Sequence, residues 1–322
     1  MKILVTGGTG FIGNHLINSI IENNHNDNII NVDLFNNVTH DHCNFKNVDI
    51  RKPIIYDIDY RDTDIIFHLA ALCKEPGYQW EEYFQTNYIG TKNVCEFAIQ
   101  NNIRNIVFTS TMMVFKAGEK RISEEDVTAP DTAYGISKLL AEEVLLSWKK
   151  SNPENRLRII RPGVVFGKGE KGNFTKLFNA LRKNLFVYVG RKDTVKGSIY
   201  VKDVVKFLLY LTNDSSNRMI YNFVFPKPDT ISKICNSICK VMGWKRFIPV
   251  IPFRLLLLIS YIFELLNNIG LKNPIHHRRI EKLYYSTHLS AVAALASGFK
   301  YSYTLESALE DWKKDCNGEG LF

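Results

Sequence analysis

The sequence lacks an apolar run of the roughly 20 residues that a membrane-spanning helix needs. Its most apolar stretch, residues 255–263, has Ser260 as its only polar residue and is too short to cross a bilayer. Internal repeats, low-complexity segments, zinc-finger spacings, helix-turn-helix patterns and RNP patterns are also missing, which argues against a repeat protein and against nucleic acid as a partner. The N-terminus enters an apolar strand pattern without the features of a signal peptide, so we expect a cytoplasmic protein.

Cysteine is scarce and scattered, with six residues in the chain. Cys235 and Cys239 fall on one helix face, but no nearby Cys or His pair completes a zinc set. We therefore expect reduced core thiols in a cytosolic protein, and no metal site.

Charged residues are spread along the whole chain. The 41 basic and 33 acidic residues give a net charge of +8, and no long Lys/Arg block occurs. This excess could favour anionic substrates such as diphosphates, or an anionic membrane surface. Apolar residues make up 45% of the chain, which is enough for a sizeable core.

A glycine turn follows the first strand pattern. Gly7, Gly10 and Gly13 precede or open a helical pattern that includes Phe11 and Ile12. Glycines at this spacing allow a tight turn and a close approach of the backbone to a pyrophosphate, and the helix N-terminus offers unpaired N–H groups to it. The turn predicts a dinucleotide-binding site.

Asp33 ends the second strand pattern, twenty residues after Gly13. An acid there accepts hydrogen bonds from adenosine ribose hydroxyls and repels a 2′-phosphate, which favours NAD over NADP. The alternative is an aspartate that only stabilises a turn. A third strand is expected at residues 44–50, and it would place Asp49 and Ile50 near the adenine.

Strand patterns at 64–71, 105–111 and 156–161 alternate with helical patterns at 80–100 and 133–148. This alternation predicts an α/β fold with a Rossmann-type doubly wound parallel sheet. Ligands of such sheets bind at the carboxyl ends of the strands. His68 is expected to be a packed strand residue, and the small Ala70 and Ala71 would let a cofactor approach the backbone.

The regular alternation ends after residue 162. We expect residues 1–165 to form the NAD-binding domain, which also receives parts of about 195–225, and residues 166–322 to form mainly a smaller mixed α/β substrate domain. In the latter region helices are predicted at 173–183, 204–211, 231–242 and 305–314, and strands at 197–203 and 218–224.

Tyr134 and Lys138 are four residues apart, and on a helix they lie on one face. A neighbouring ammonium group favours the phenolate and would lower the pKa of Tyr134, which suits the tyrosine to exchange a proton with an alcohol or ketone. Taken alone, such a pair is more often an ordinary helix-surface contact. The surrounding cofactor motifs favour the catalytic interpretation.

Taken together, the motifs resemble the extended short-chain dehydrogenase/reductase family, in its NAD-dependent epimerase/dehydratase group. The matching residues occur in the order of that family and cover most of the chain: 6–13, 33, 49–51, 68–71, 87–91, 110–115, 134–138, 161–167 and 200–203.

The resemblance implies roles for individual residues. Tyr134 would be the general acid/base, Lys138 its pKa-lowering and ribose-binding partner, and Thr111 the hydroxyl that bonds the reacting oxygen. The residues implied to bind NAD are Gly7, Gly10, Phe11, Ile12, Gly13, Asp33, Asp49, Ile50, Leu69, Ala70, Ala71, Lys74, Asn87, Thr109, Tyr134, Lys138, Pro162 and Val164. Those implied to bind substrate are Thr111, Met112, Met113, Asn173, Phe174 and Tyr200.

Departures from the family pattern reduce the number of reactions that the sequence is compatible with. Methionines follow Thr111 where dehydratases of the family carry an acid pair, which disfavours dehydration, and Phe115 and Lys116 replace the usual Tyr and Gly. The second half looks most like bacterial polysaccharide enzymes, namely 4-epimerases of undecaprenyl-diphosphate-linked N-acetylglucosamine and reductases of UDP-4-keto sugars. We favour the epimerase; the reductase, and a non-catalytic NAD-binding protein, are alternatives.

A sugar diphosphate substrate, carried by a nucleotide or a lipid, needs cations. The candidates are Lys168, Lys171, Lys176, Arg182 and Lys196. Residues 250–271 are expected either to pack internally or in a dimer, or to contact a membrane surface with help from the basic residues 276–279. The family resemblance also implies a homodimer.

Overall fold

The computed structural model describes residues 1–23, 27–36, 43–54, 60, 62–75, 77–214, 216–268 and 277–322, with only the backbone for 265–268, 278 and 279. The strands are β1 (Lys2–Thr6), β2 (Asn28–Asp33), β3 (Cys43–Asn47), β4 (Ile65–His68), β5 (Asn105–Thr109), β6 (Gly118–Ile122), β7 (Arg156–Pro162), β8 (Val164–Phe166), β9 (Tyr188–Val189), β10 (Ser198–Tyr200), β11 (Ile220–Phe223), β12 (Val250–Ile251) and β13 (Thr287–Leu289). The α-helices are α1 (Phe11–Asn23), α2 (Trp80–Tyr83), α3 (Gly90–Gln100), α4 (Ala133–Ser151), α5 (Asn173–Arg182), α6 (Val201–Tyr210), α7 (Ile231–Met242), α8 (Phe253–Asn268), α9 (His277–Tyr284), α10 (Val292–Ala296) and α11 (Leu305–Asp315).

Seven parallel strands form the main sheet in the order β3-β2-β1-β4-β5-β7-β11. The strand order reverses between β1 and β4, which creates the crevice where open α/β sheets bind ligands. The predicted α/β fold with a doubly wound parallel sheet is confirmed.

The sheet is buried on both faces because its strands are apolar on both sides. On β1, Ile3 and Val5 point into one core with α1 and α6, while Leu4 points into a second core with α3 and α4. All four residues of β4 are buried. Such strands give the nearly continuous apolar runs that the sequence shows.

Several strands end earlier than predicted. β4 stops at His68 and β5 at Thr109, so residues 69–71 and 110–111 leave the sheet. β3 ends at Asn47, and Asp49 lies in the turn beyond it. The predicted helix 80–100 is interrupted by a π-helical turn, Phe84–Ile89.

The second half of the chain forms smaller parallel pairs: β8 with β10, β9 with β12, and β6 with β13. β11 returns to the edge of the main sheet beside β7. Among the described residues, no helix has both the length and the apolar character needed to cross a membrane.

Candidate functional site

The glycine turn packs against the end of β4. Gly7 has a φ of +74°, and a Cβ atom there would lie 2.6 Å from the Ala70 backbone. A Cβ on Gly13 would lie 2.3 Å from the Gly7 carbonyl oxygen. Both positions therefore require glycine, because any side chain would separate β1, β4 and α1.

The outer side of the turn is open to a ligand. A Cβ on Gly10 would meet only the Gly7 carbonyl within 4 Å. Phe11 and Ile12 begin α1, and the first N–H groups of a helix have no acceptor within that helix. This open backbone at a helix N-terminus fits the pyrophosphate of a dinucleotide.

Asp33 lies beside the same turn, at the end of β2. Its Oδ2 accepts hydrogen bonds from the Thr9 amide at 3.1 Å and the Thr9 hydroxyl at 2.6 Å. The carboxylate is thereby aimed at the crevice with lone pairs to spare, as an acceptor for ribose hydroxyls would need to be. The residues present fit NAD, and the fixed negative charge opposes a 2′-phosphate.

Thr111, Tyr134 and Lys138 meet at the carboxyl end of β5. Thr111 caps a short 3₁₀ turn, Met112–Val114, and its hydroxyl accepts a hydrogen bond from the Met113 amide at 3.2 Å. The Thr111 side chain also lies close enough to the Tyr134 phenol to lower the pKa of Tyr134. The predicted catalytic residues are therefore neighbours in the structure.

The start of α4 sets the position of Tyr134. Thr132 caps the helix by accepting a hydrogen bond from the Gly135 amide at 3.1 Å. Gly135 then lies directly against the 3₁₀ turn: a Cβ there would be 2.2 Å from the Met113 carbonyl oxygen. Only glycine lets α4 approach closely enough for Tyr134 to reach Thr111.

The pKa values of Tyr134 and Lys138 differ from the expectation. Burial raises the pKa of Tyr134, and the nearby Thr111 side chain opposes this only in part. Burial also lowers the pKa of Lys138 to about 7, against the pull of Glu142. The predicted depression of the Tyr134 pKa is wrong for the protein alone, because desolvation is the largest cause of the shift and disfavours the phenolate.

Asn87 links the cofactor side of the site to the catalytic helix. Its Oδ1 accepts from the Leu72 amide at 2.8 Å, and its Nδ2 donates to the Leu72 carbonyl at 3.0 Å and to the Ser137 hydroxyl at 2.9 Å. Ser137 donates in turn to the Tyr134 carbonyl at 2.9 Å. Both Asn87 amide hydrogens are thus used within the protein, while Oδ1 accepts only one of these bonds, and the cofactor contact of Asn87 stays a prediction.

A second buried network fixes the state of His68. Thr91 donates to the Asn87 carbonyl at 2.6 Å, so it must accept from His68 Nε2, 2.9 Å away. His68 Nδ1 then accepts from the Thr6 hydroxyl at 2.7 Å. Burial lowers the pKa of His68 to about 3, consistent with a neutral ring protonated at Nε2. His68 is the packed strand residue that the sequence predicted.

A buried ion pair lies beneath Lys138, and sequence reasoning did not identify it. Arg161 donates to both carboxylate oxygens of Glu142, at 3.0 and 2.6 Å, and Ser110 donates to the same carboxylate. Glu142 follows Lys138 by four residues, the one signal that could have suggested the contact. The pair ties α4 to β7 below the site.

The remaining predicted cofactor residues differ in their environments. Leu69, Ala70, Ala71 and Val164 are half-buried, Pro162 is buried, and Lys74 is exposed. Thr109 ends β5, and its hydroxyl has no hydrogen-bond partner among the described residues. The Asp49 carboxylate is held by Arg51, 2.7 Å away, and Ile50 packs against Gly90. These cofactor assignments stay predictions.

The predicted substrate residues separate into two groups. Met113 packs against Tyr134, and Met112 against the neighbouring cluster of Val114 and Leu289, so both border the centre. Asn173 is exposed at the start of α5.

Tyr200 and Phe174 are instead core residues. The Tyr200 side chain is fully buried and donates to Asp311 at 2.8 Å, and Phe174 stacks on Phe166 at 4.2 Å between ring centroids. Side-chain contact of Tyr200 or Phe174 with substrate is therefore a wrong prediction, because both rings complete the apolar core behind α5 and α6.

The candidate phosphate cations also differ in their environments. Lys196 donates to the carbonyls of Lys282 and Tyr285, at 2.6 Å each, and burial lowers its pKa to about 8. The other four candidates, Lys168, Lys171, Lys176 and Arg182, are exposed.

The chain belongs to the NAD dependent epimerase/dehydratase family, whose model matches residues 3–223. It is therefore an enzyme of that family, and its cofactor is NAD.

The chain is 30% identical over 314 residues to the N-acetyl-alpha-D-glucosaminyl-diphospho-ditrans,octacis-undecaprenol 4-epimerase of Escherichia coli O157:H7. This match covers 96% of this chain and 93% of that enzyme. The chain is 29% identical over 270 residues to a putative UDP-glucose 4-epimerase of Methanocaldococcus jannaschii, covering 76% of this chain and 83% of that protein.

Solved structures share the fold. The UDP-N-acetylglucosamine 4-epimerase of Bacillus cereus superposes with a TM-score of 0.73 at 22% identity, covering 99% of this chain and all of that one. The UDP-glucuronic acid 4-epimerase of the same organism, in complex with NAD, gives a TM-score of 0.74 at 20% identity, covering 98% of this chain and 99% of that one.

We expect Gly135→Ala to impair both folding and turnover. The new methyl group collides with the Met113 carbonyl and must push α4 away from Thr111, at a cost of about 1–3 kcal/mol. Urea unfolding and kcat would measure the two effects. Gly118→Ala is the matched control, because a Cβ there meets nothing within 4 Å. Wild-type stability and kcat in Gly135→Ala would contradict the steric argument.

Lys138 should also affect how stability depends on pH. Its pKa falls from about 10.4 in an unfolded chain to about 7 in the folded protein. Between these values the unfolded chain binds more protons, so the contribution of Lys138 to stability rises with pH. We expect the difference in unfolding free energy, wild type minus Lys138→Met, to increase by on the order of 1–2 kcal/mol from about pH 7 to pH 9. Urea unfolding measures it, with the exposed Lys150→Met as control; a constant difference would refute the assignment.

Proposed function

We propose that this enzyme is an NAD-dependent sugar 4-epimerase that acts on a diphosphate-linked N-acetylhexosamine through a 4-keto intermediate, in the biosynthesis of a surface polysaccharide. The observation that carries the proposal is the buried approach of Thr111 to Tyr134, one helical turn from Lys138, in the sheet whose β1 leads into the glycine turn. This arrangement can move a proton at a carbinol oxygen beside a hydride acceptor. The similarity to the Escherichia coli enzyme, at 30% identity over 96% of this chain, supports the substrate class.

Each side chain has a defined task. Tyr134 takes the proton of the C4 hydroxyl and later returns it to the 4-keto oxygen. Thr111 donates a hydrogen bond to the same oxygen while charge develops on it. Lys138 contributes a buried positive charge, which favours the phenolate when the lysine is protonated. Bound NAD would supply the hydride acceptor and, once reduced, the hydride donor.

Epimerisation requires the ketone to turn in the pocket and to receive the hydride on its other face. Met112 and Met113 suit this step, because flexible apolar side chains can border a sugar in two orientations. They also supply no acid for the elimination of water.

Lys196 and the exposed cations near α5 are our candidates for binding the diphosphate. Asn173 remains a predicted substrate contact.

The reaction type can be tested without added nicotinamide. Purified protein is incubated separately with lipid-diphosphate-GlcNAc and UDP-GlcNAc, and NMR follows the configuration at C4. We expect the C4 epimer from at least one substrate, since an epimerase regenerates its NAD in each cycle. No epimer from either, together with stoichiometric NADH consumption on a 4-keto sugar, would identify a reductase instead.

Tyr134→Phe tests whether this site performs the reaction. We expect kcat to fall by about 10²–10⁴, the usual contribution of a general acid/base. Tyr303→Phe is the control, since Tyr303 packs against Tyr200 in the core region and not at the crevice. Activity that survives in Tyr134→Phe would support a non-catalytic role for the described site.

The domain division at residue 165 and the homodimer stay predictions, as does a cytoplasmic location. The return of β11 to the main sheet supports assigning part of 195–225 to the NAD-binding domain.

A further inference from the structure

Helix α8 has an apolar face directed away from the protein. The exposed fractions of Leu255, Leu258 and Ile262 are 48%, 61% and 53%. Their spacing of three and four residues places them on one side of the helix. Tyr261, 50% exposed, extends this stripe. A contiguous apolar surface of this kind usually marks an interaction site.

The opposite side of α8 is firmly packed, so the exposure does not reflect a loosely attached helix. Ser260 is fully buried, and its hydroxyl donates to the Leu257 carbonyl at 2.7 Å. Phe253 stacks on Tyr284 of α9 with ring centroids 4.2 Å apart. The two helices therefore form a fixed support for the outer face.

Exposed apolar and basic residues flank the stripe. Phe247 is 91% exposed on the segment that precedes α8, and Val250 is 43% exposed. Lys245, Arg254 and Lys282 are exposed as well. Aromatic and aliphatic side chains interleaved with cations are typical of surfaces that enter the interface of a bilayer.

The segment around α8, residues 245–285, has a larger excess of basic residues than the rest of the chain. Residues 245–285 contain seven basic and two acidic residues, so they carry five of the eight net positive charges. Each cation near an anionic bilayer contributes about 1 kcal/mol of attraction. A protein partner would require no such bias, whereas an anionic lipid surface matches both the charge and the exposed apolar side chains.

We propose that α8 and the preceding segment at Phe247 form a membrane-docking surface for anionic phospholipid bilayers. Leu255, Leu258, Ile262 and Phe247 enter the acyl–headgroup boundary, and the neighbouring lysines and arginines contact lipid phosphates. Binding is peripheral. Residues 269–276, part of the segment that the sequence pointed to, lie outside the described residues. The inference concerns lipid only, so it holds or fails independently of which sugar the site epimerises.

Vesicle flotation tests the proposal. Full-length protein is mixed with vesicles of phosphatidylglycerol and phosphatidylcholine, or of phosphatidylcholine alone. We expect flotation with the anionic vesicles and its loss at high salt, because salt screens the attraction. No flotation with anionic vesicles at low salt would overturn the proposal.

Variants locate the surface. Leu258→Glu combined with Ile262→Glu should reduce partitioning at least about tenfold, since two exposed side chains leave the apolar phase. Val127→Glu is the matched control, because Val127 is 88% exposed and lies outside the segment. Equal partitioning of the double variant and the control would overturn the assignment.

The solution mass of each variant is measured in parallel. A double variant that floats like the wild type but dissociates to a smaller species would assign this face to a second copy of the chain. Urea unfolding of the double variant in vesicle-free buffer shows whether its fold is intact. An unfolding midpoint close to that of the wild type is expected if α8 serves only docking.

Discussion

One buried path of hydrogen bonds joins the ends of β1 and β4 to the start of α4. It runs from the Ala70 amide through Thr6 and His68 to Thr91, each group donating to the next. It continues from Thr91 to the Asn87 carbonyl, and from the Asn87 amide through Ser137 to the Tyr134 carbonyl. Because every donor in a buried network needs its acceptor, the ends of β1 and β4 and the start of α4 cannot shift independently.

This path explains why the site can tolerate so much burial. Tyr134 and Lys138 are 8% and 1% exposed, and burial opposes the charged form of both. In the proposed role of Tyr134 as acid/base, such surroundings give strong electrostatic interactions when charge develops, since no water competes. It must then supply rigid partners in place of water. Thr111, the Glu142–Arg161 pair beneath Lys138 and the Asn87 contacts serve as those partners.

The sequence revealed the parts of the site that depend on local backbone geometry. The glycine turn, Asp33 and the Tyr134–Lys138 pair were recognisable because each needs a particular residue at a fixed spacing along one element. The strand alternation likewise predicted the sheet and its crevice. The path through Thr6, Thr91 and Ser137 was not recognisable, because hydroxyl residues are common and their partners lie on other elements. Tyr200 shows the same limit: its motif predicted a site residue, but only the packing of α6 shows that its ring turns into the core.

The C-terminal region, which we propose binds the substrate, depends less on the main sheet. The pairing of β6 with β13 attaches the C-terminal region to the segment that follows Thr111. Lys196 connects that region to the end of α9 through the Lys282 and Tyr285 carbonyls, and α9 is stacked on α8 through Phe253 and Tyr284. Next to Lys196, a Cβ on Gly163 would lie 2.5 Å from the Gly197 carbonyl oxygen, so this connection reaches the end of β7. The outward face of α8 is thus tied by direct contacts to the rim of the crevice. A surface bound to α8 would consequently stand in a fixed orientation to the catalytic centre, which suits a substrate whose diphosphate is anchored in a bilayer.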